Sequence, residues 1–280
     1  MYTIARPAPA LADFIESFWF VYTPPGESLN LSVDVFADAR ADVVFNLGAP
    51  YTRVSPGRAE LIRHSNLDAQ RVHPITIRQR GEVIVAGARL RTAGLAAFAS
   101  SVHGWTNRVV PIAQAFGRDV AAVERALRRK AGDPAAQGAL LDELFMARLD
   151  VTDSKRRLWA LKSKIEDAQG LVRVDELCAD AGLSIRQVDR LFREHLGVPP
   201  KTFARIARFQ NAITRLKGDP GCTLADVAAR CGYYDQSHLV HDFRRFAGAA
   251  PKQKRGYFPA GAPSDFSPNL VQFLQDSGGE

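Results

Sequence analysis

The sequence predicts an α+β chain of two parts, a strand-rich N-terminal domain followed by an all-helical, basic domain. Three observations carry this. Apolar residues alternate with polar ones through the first 110 residues or so, and from Asp119 their spacing becomes that of helices. A helix–glycine–helix pattern then occurs twice, about 50 residues apart. The chain has 280 residues, 46% hydrophobic and 24% charged. That composition excludes a disordered or fibrous protein and leaves room for two ordinary domains.

Residues 1–118 form the β-rich part. Val43, Phe45 and Leu47 alternate with polar or small neighbours, as do Ile75, Ile77 and Gln79. The β-branched run Val83-Ile84-Val85 reads as a buried strand. Pro24-Pro25-Gly26 and Ser55-Pro56-Gly57 mark turns. Residues 119–154 form a helical pair, a linker suited to dimerisation. Its first helix carries Val120, Val123 and Leu127 on one face and ends at Gly132-Asp133-Pro134. The second is predicted over 135–149, with Leu140, Leu141, Leu144 and Phe145. Within 155–258, Leu158, Leu161 and Ile165 give one amphipathic helix closed by Gly170. Phe203, Ile206, Ile213 and Leu216 give another, opened by Pro199-Pro200 and closed by Gly218-Asp219-Pro220-Gly221. Residues 259–280 read as an acidic tail.

Charge divides the chain more sharply than pattern does. Residues 155–258 hold 20 Lys/Arg against 11 Asp/Glu, whereas 1–154 hold 17 against 16 and 259–280 hold none against 3. The excess sits in one segment, which points to a polyanionic partner there. The apolar stretch Phe18–Tyr22 falls far short of the about 20 residues of a membrane span. Asp13 and Glu16 interrupt any leader-like start. No membrane partner is expected, and the chain is placed in the cytoplasm. The three cysteines, Cys178, Cys222 and Cys231, are too scattered for a disulfide framework.

The first copy of the repeat lies at about 174–193 and the second at about 224–246. Aligned on Gly182 and Gly232, Leu177 matches Val227, Ala179 matches Ala229, and Leu183 matches Tyr233. Each copy reads as a helix, a tight glycine turn and a second helix, which is a helix-turn-helix whose second helix can enter a major groove. Ala179 and Ala229 are the small residues expected at the helix crossing. Glycine allows positive φ in the turn. Ser184 with Gln187 spells a capping box, and Thr223 with Asp226 the same device. The faces left for solvent carry Arg186, Gln187, Asp189 and Arg190 in one copy, and Gln236, Ser237, His238 and His241 in the other. Arg and Gln can read base edges bidentately.

The stretch from Gly232 through Tyr233-Tyr234-Asp235-Gln236-Ser237-His238 to Phe243, Phe246 and Pro251 resembles the signature of the AraC/XylS family of bacterial transcription regulators. Gly182-Leu183-Ser184, Phe192 and Gly197-Val198-Pro199-Pro200 are similar to the matching pattern of the first copy. The resemblance covers 155–258. It implies seven helices forming two helix-turn-helix units joined by a linker helix, which read successive major grooves on one face of double-stranded DNA. It implies transcription activation or repression with RNA polymerase as a further partner. By carry-over, Arg186, Gln187, Arg190, Gln236, Ser237, His238 and His241 contact DNA, and Ser184, Lys201 and Arg244 contact phosphate. His241 stands where the family more often has Arg, Asp189 places a carboxylate towards the DNA, and Arg173 replaces a Ser/Thr cap. Residues 1–150 resemble, more loosely, a sensor-like domain found ahead of this module. Its carriers are Phe18-Trp19, the stretch 38–46 and the stretch 85–91. That resemblance implies a cupin-like β-barrel with helices, which binds a small-molecule effector or pairs subunits into a homodimer.

Other chemistry is not expected. Cys222 and Cys231 are too far apart for a zinc knuckle, and His64, His73 and His103 lack the spacing of a metal-binding cupin. Asp34, Asp38 and Asp42 would share a face only on a helix, and the residues around them favour strands. No cofactor, metal or catalytic residue is assigned. The alternative reading, an enzyme or DNA-repair protein carried to DNA by its C-terminal module, lacks a nucleophile–base pair. Trp19, Phe20, Arg89 and Trp105 are the residues named as lining for an effector pocket. A ligand-sized apolar cavity with a few convergent polar groups would favour sensing over a pure scaffold.

Overall fold

The structure is a computed structural model that describes residues 2–219 and 221–251. The acidic tail and the stretch 252–258 lie outside the described residues. In chain order the strands are β1 (Tyr2–Ala5), β2 (Ile15–Tyr22), β3 (Leu29–Val35), β4 (Asp42–Asn46), β5 (Tyr51–Ser55), β6 (Arg58–Ile62), β7 (Asn66–Asp68), β8 (Ile75–Gly81), β9 (Ile84–Leu90) and β10 (Val109–Pro111). The helices are α1 (Ile112–Phe116), α2 (Val120–Arg129), α3 (Pro134–Met146), α4 (Asp153–Asp167), α5 (Val174–Ala181), α6 (Ile185–His195), α7 (Pro200–Gly218), α8 (Leu224–Arg230) and α9 (Gln236–Ala247).

The strands form two antiparallel sheets, ordered β1-β2-β9-β4-β7-β10 and β3-β8-β5-β6. This corrects the expected closed barrel. Closure would need an end strand of one sheet to pair with an end strand of the other. Instead β10 is three residues long, ends on Pro111, which has no N–H to donate, and runs directly into α1.

The alternation along the larger sheet sorts its side chains into two cores. Phe18, Phe20, Val43, Phe45, Ala86, Ala88 and Leu90 face the helical layer and meet Leu127, Leu141, Leu144 and Phe145. Phe145 is the hub, with ring centroids 4.8 Å from Phe98, 6.0 Å from Phe116 and 6.2 Å from Phe18. The opposite face sends Val21, Val44 and Val85 towards Tyr51 and Ile62 of the smaller sheet. A sheet covered on both faces needs near-continuous apolar strands, which is why Phe18–Val21 and Val43–Phe45 read so strongly.

The helical domain shares its core with the N-terminal one. Ala37, Ala39, Val72, Ala93 and Ala96 belong to the same buried cluster as Leu158, Phe192, Phe209 and Phe246. Trp159 of α4 packs on both cores and donates its indole N–H to Ala93 O at 3.1 Å. Further bonds cross the junction, from Val102 N to Glu194 O at 2.8 Å and from Thr106 Oγ1 to Gly197 O at 2.8 Å. Gly197 is required there twice over. Its φ is +78°, and a Cβ would lie 1.9 Å from Gln70 Nε2. No helix among the described residues is long and apolar enough to cross a membrane.

His195, buried at the end of α6, gives a testable pH dependence. Its Nε2 lies 3.0 Å from Ser154 Oγ. Burial pushes its pKa below the ordinary 6.5 against the opposing pull of Glu194, and Lys155 lowers it further. The half-buried His73 is lowered by desolvation and by Arg245. As pH falls through 6.5 the unfolded imidazoles take up protons that the folded ones refuse, so stability is lost on that side and retained above it. Urea unfolding midpoints should therefore drop between about pH 7.5 and 5.5, and the drop should shrink in His195→Gln. An equal drop in that variant would remove His195 as a cause.

Candidate functional site

The two repeats build the same turn from the same bonds. Leu183 N donates to Cys178 O at 3.0 Å and Gly182 N to Ala179 O at 3.1 Å. Fifty positions on, Tyr233 N donates to Ala228 O at 2.9 Å and Gly232 N to Ala229 O at 3.4 Å. These are the paired bonds that close a helix through a left-handed residue. Gly182 and Gly232 take φ of +62° and +66°. The small residues at the crossings are Cys178 and Ala228, both buried. Ala179 and Ala229, expected there, are exposed, one position round the helix.

Both expected capping boxes form. Gln187 Oε1 accepts from Ser184 N and Ser184 Oγ, each at 2.8 Å. Asp226 closes the same ring with Thr223 at the start of α8. In α9 the cap is Asp235, whose Oδ1 accepts from His238 N at 2.7 Å. Arg173 caps nothing with its side chain and instead pairs with Asp175, whose carboxyl it holds down at about 2.

The long helix α7 positions the two recognition helices. It buries Phe203, Ile206, Phe209, Ala212, Ile213 and Leu216. Phe203 meets Phe192 of α6 at 6.2 Å, and Phe209 meets Phe243 and Phe246 of α9 at 5.0 and 5.3 Å. Asp242, buried in α9, is held by Arg205 of α7 at 2.6 Å. One rigid element thus sets the separation of α6 and α9.

On α6, Arg186 and Arg190 are exposed and Val188 and Phe192 buried. Gln187 is exposed, but its carbonyl oxygen serves the cap, which leaves its Nε2 as the group free to face a ligand, and Ser184 Oγ is engaged in the same box. Asp189 accepts from Arg193 Nε at 2.7 Å along the helix, so its charge is answered locally. On α9, Gln236, Ser237, His241 and Arg244 are exposed, as is Lys201 at the start of α7. His238 is half-buried, edge-on to the Tyr233 ring at 5.2 Å. Sequence reasoning missed Ile185, 62% exposed at the start of α6, and Tyr234, 94% exposed just before α9. The signal was an apolar side chain within three residues after each turn glycine, off the buried positions and at the start of the recognition helix. It also missed that Ser101 and His103 of the N-terminal domain line a groove of about 610 Å³ with Arg186, Arg190 and Arg193.

A second site lies between the sheets, an apolar space of about 130 Å³ lined by Trp19, Val21, Val33, Val44, Ile77 and Val85 among others. Its polar end is a lattice of buried ions. Arg53 pairs with Asp68 at 3.0 Å, Arg71 with Asp42 at 2.8 Å, and Arg89 with Asp42 at 3.1 Å and with Asp38. Burial opposes the Asp38 charge, but Arg89, Arg71 and Arg40 hold its carboxyl below the ordinary value. Burial drives the Tyr51 hydroxyl pKa upward, so it donates to Asn66 Oδ1 at 3.2 Å as a neutral group. Asp38 and Asp42 thus converge without sharing a helix, while Asp34 turns away to Thr76 Oγ1 at 2.7 Å. Of the four residues named for a pocket, Trp19 and Arg89 line this space. Phe20 faces the helical layer, and Trp105 packs against that same core. No group of three potential metal ligands occurs among the described residues.

Residues 177–256 match the family model of a helix-turn-helix domain, and residues 3–111 match that of a domain of unknown function, DUF6597. The HTH-type transcriptional regulator GbdR of Pseudomonas aeruginosa is 29% identical over 92 residues, 33% of this chain and 25% of that protein. The HTH-type transcriptional activator RhaR of Yersinia pseudotuberculosis is 31% identical over 83 residues, 30% of this chain and 28% of that protein. The chain spans about a quarter of the length of these curated relatives. The solved structure of ToxT from Vibrio cholerae aligns with 82% of this chain and 98% of its own, at 11% identity and a TM-score of 0.43. A protein with two tandem helix-turn-helix units behind a two-sheet domain is defined by the fold itself. The C-terminal segment is thus an AraC-type helix-turn-helix domain, similar to those of the transcription regulators above, and the N-terminal part is a DUF6597 domain.

The caps give a stability test. Ser184→Ala removes one capping box and should lower the unfolding free energy by about 0.5–2 kcal/mol, with Ser184→Gly costing less. Chemical denaturation of the full chain reads the difference, and no change would mean that the box contributes nothing to α6.

Proposed function

We propose that this protein is a sequence-specific, double-stranded-DNA-binding transcription regulator that responds to a small-molecule effector through its N-terminal domain. The observation that carries the reading is the repeated turn, set on one helix and presenting Arg186 and Arg190 on α6, and Gln236 and His241 on α9, within the basic segment. In this reading residues 155–258 are the DNA-binding domain, 1–118 the sensor and 119–154 a helical pair that serves dimerisation. Arg186, Arg190, Gln236, Ser237 and His241 face bases, and Gln187 contributes its amide N–H group. His238 contributes from the wall of its unit. Lys201, Arg244 and the N-terminal end of α6 at Ser184 face phosphate. Bound to a promoter, the chain works in the bacterial cytoplasm, with RNA polymerase as the partner whose recruitment or exclusion it controls. The effector part is supported by the intersheet space, which has apolar walls and convergent polar groups as ligand sites do. It is also supported by the core that the two domains share, which gives the sensor a physical hold on the DNA-binding units.

If α6 and α9 each enter a major groove on one face of the duplex, one chain should protect two short boxes centred about 10 base pairs apart. Arg190→Ala should relax preference within one box and His241→Ala within the other, each costing roughly 1–3 kcal/mol at its own position. Affinity should fall with salt at a log–log slope of about −0.9 per phosphate contacted. Binding of each variant to sites mutated one base pair at a time is the measurement. Overlapping effects of the two variants, or none, would overturn the two-groove arrangement.

A further inference from the structure

The space between the sheets has the size of a single ring. At about 130 Å³ it is close to the engineered apolar cavity of about 150 Å³ that admits benzene. Its ion lattice contains Arg53, Arg71 and Arg89 against Asp38, Asp42 and Asp68, three charges of each sign already paired with one another. A charged ligand would enter as a surplus ion in a low-dielectric site and would have to break one of these pairs to be answered. A neutral ligand meets no such cost. Two donors at the site lack a partner among the described residues, Trp19 Nε1 and Arg71 Nε. The Trp19 ring is held in place over Gly87, where even a Cβ would lie 2.2 Å from Cε2. Both unpartnered groups call for an acceptor, and neither calls for an anion.

The connector between β3 and β4 joins this lattice to the second helix-turn-helix unit within three residues. Asp38 carries the carboxylate that Arg89 and Arg71 grip, the latter at 3.6 Å. Its neighbour Ala37 spends both backbone groups on the helical domain. Ala37 N donates to Phe246 O of α9 at 2.9 Å, and Ala37 O accepts from Gln210 Nε2 of α7 at 2.7 Å. On the other side Ala39, at φ +55°, donates its N–H to Arg71 O at 3.0 Å. A segment this short, tied on both flanks, has no slack to absorb a shift of Asp38.

We infer that the intersheet cavity binds a neutral molecule of single-ring size with one hydrogen-bond acceptor, and that its occupancy reaches the second helix-turn-helix unit through Ala37–Ala39. This rests on reading the chain as an effector-responsive DNA-binding regulator. Calorimetric titration of the full chain uses three probes built on one six-membered ring: cyclohexanone, cyclohexane, which lacks the acceptor, and cyclohexanecarboxylate, which is charged. Cyclohexanone should bind one to one and about tenfold tighter than cyclohexane, the worth of one hydrogen bond to an otherwise unpaired buried donor. Trp19→Phe should remove that advantage and leave cyclohexane binding unchanged, and Val85→Phe should fill the space and abolish both. At saturation, cyclohexanone should change affinity at the box read by α9 about fivefold or more and leave the α6 box unchanged. Gln210→Ala should retain the binding heat and lose that change. Absence of cyclohexanone heat, tighter binding of the carboxylate, or an undiminished acceptor advantage in Trp19→Phe overturns the ligand assignment. A bound probe that leaves the α9 box unaffected, or a response that survives Gln210→Ala, overturns the route. A chain that takes up cyclohexanone but binds no DNA at all refutes the regulator reading instead, while the calorimetric arm stands.

Discussion

The buried arginine–aspartate lattice is the constraint on which the rest of the structure depends. Arg53 and Arg71 are 1% exposed, and Arg71 and Arg89 each pair with both Asp38 and Asp42. Guanidinium groups cannot shed their charge by deprotonation, so each one in this interior obliges a carboxylate to accompany it. Removing one partner from a buried pair costs about 3–5 kcal/mol, because the other is left uncompensated. The lattice therefore fixes strands from both sheets, the β3–β4 connector and the chain after β7 in one relative arrangement. It also fills that end of the intersheet space with ion pairs where the other end is lined by valines. The cavity is the space left between the two packing styles.

The helical domain solves a different problem, the separation of two helix-turn-helix units. Each unit alone is small, with a short first helix of eight or seven residues and a core of a few side chains. The nineteen-residue α7 gives them a common wall, with Phe203 serving one unit and Phe209 the other. Asp242, buried beneath α9, has a hydrogen bond from Arg205 on that same helix. This places a directional contact where apolar packing alone would tolerate rotation of α9. The spacing of α6 and α9 is then a property of one helix and not of a flexible linker.

Much of this was legible in the sequence, and the illegible parts share a cause. Turn glycines, both capping boxes and the strands through Val43–Phe45 and Ile75–Gln79 follow from local rules, since a backbone angle or an alternation is written in neighbouring residues. The ion lattice is not local. Asp38, Arg53, Asp68, Arg71 and Arg89 come from separate strands and loops, and no spacing announces that they converge. A helical template applied to Asp34, Asp38 and Asp42 could only reject the trio, although two of them meet through sheet topology. The barrel failed for a similar reason, because whether end strands pair depends on what β10 runs into. At the crossings, Ala179 and Ala229 were preferred to Cys178 and Ala228 because every candidate was small, and one position on a short helix separates buried from exposed.

The junction between the domains also explains why a boundary drawn by charge near residue 155 is not a boundary in the core. The contact there is made by Ala37, Ala39, Val72, Ala93 and Ala96 with Trp159 of α4, mostly small side chains that let backbones approach closely. What they lack in apolar area is supplied by direction: Ala37 N to Phe246 O, Val102 N to Glu194 O, Asp150 N to Ala97 O and the Trp159 indole to Ala93 O. A greasy interface slides, because dispersion forces change gradually with displacement. A hydrogen-bonded one with little apolar area does not, because its bonds weaken steeply once distance or angle is lost. If the N-terminal domain senses an effector, as proposed above, a change at the Asp38 end would reach α9 through these bonds rather than through apolar packing.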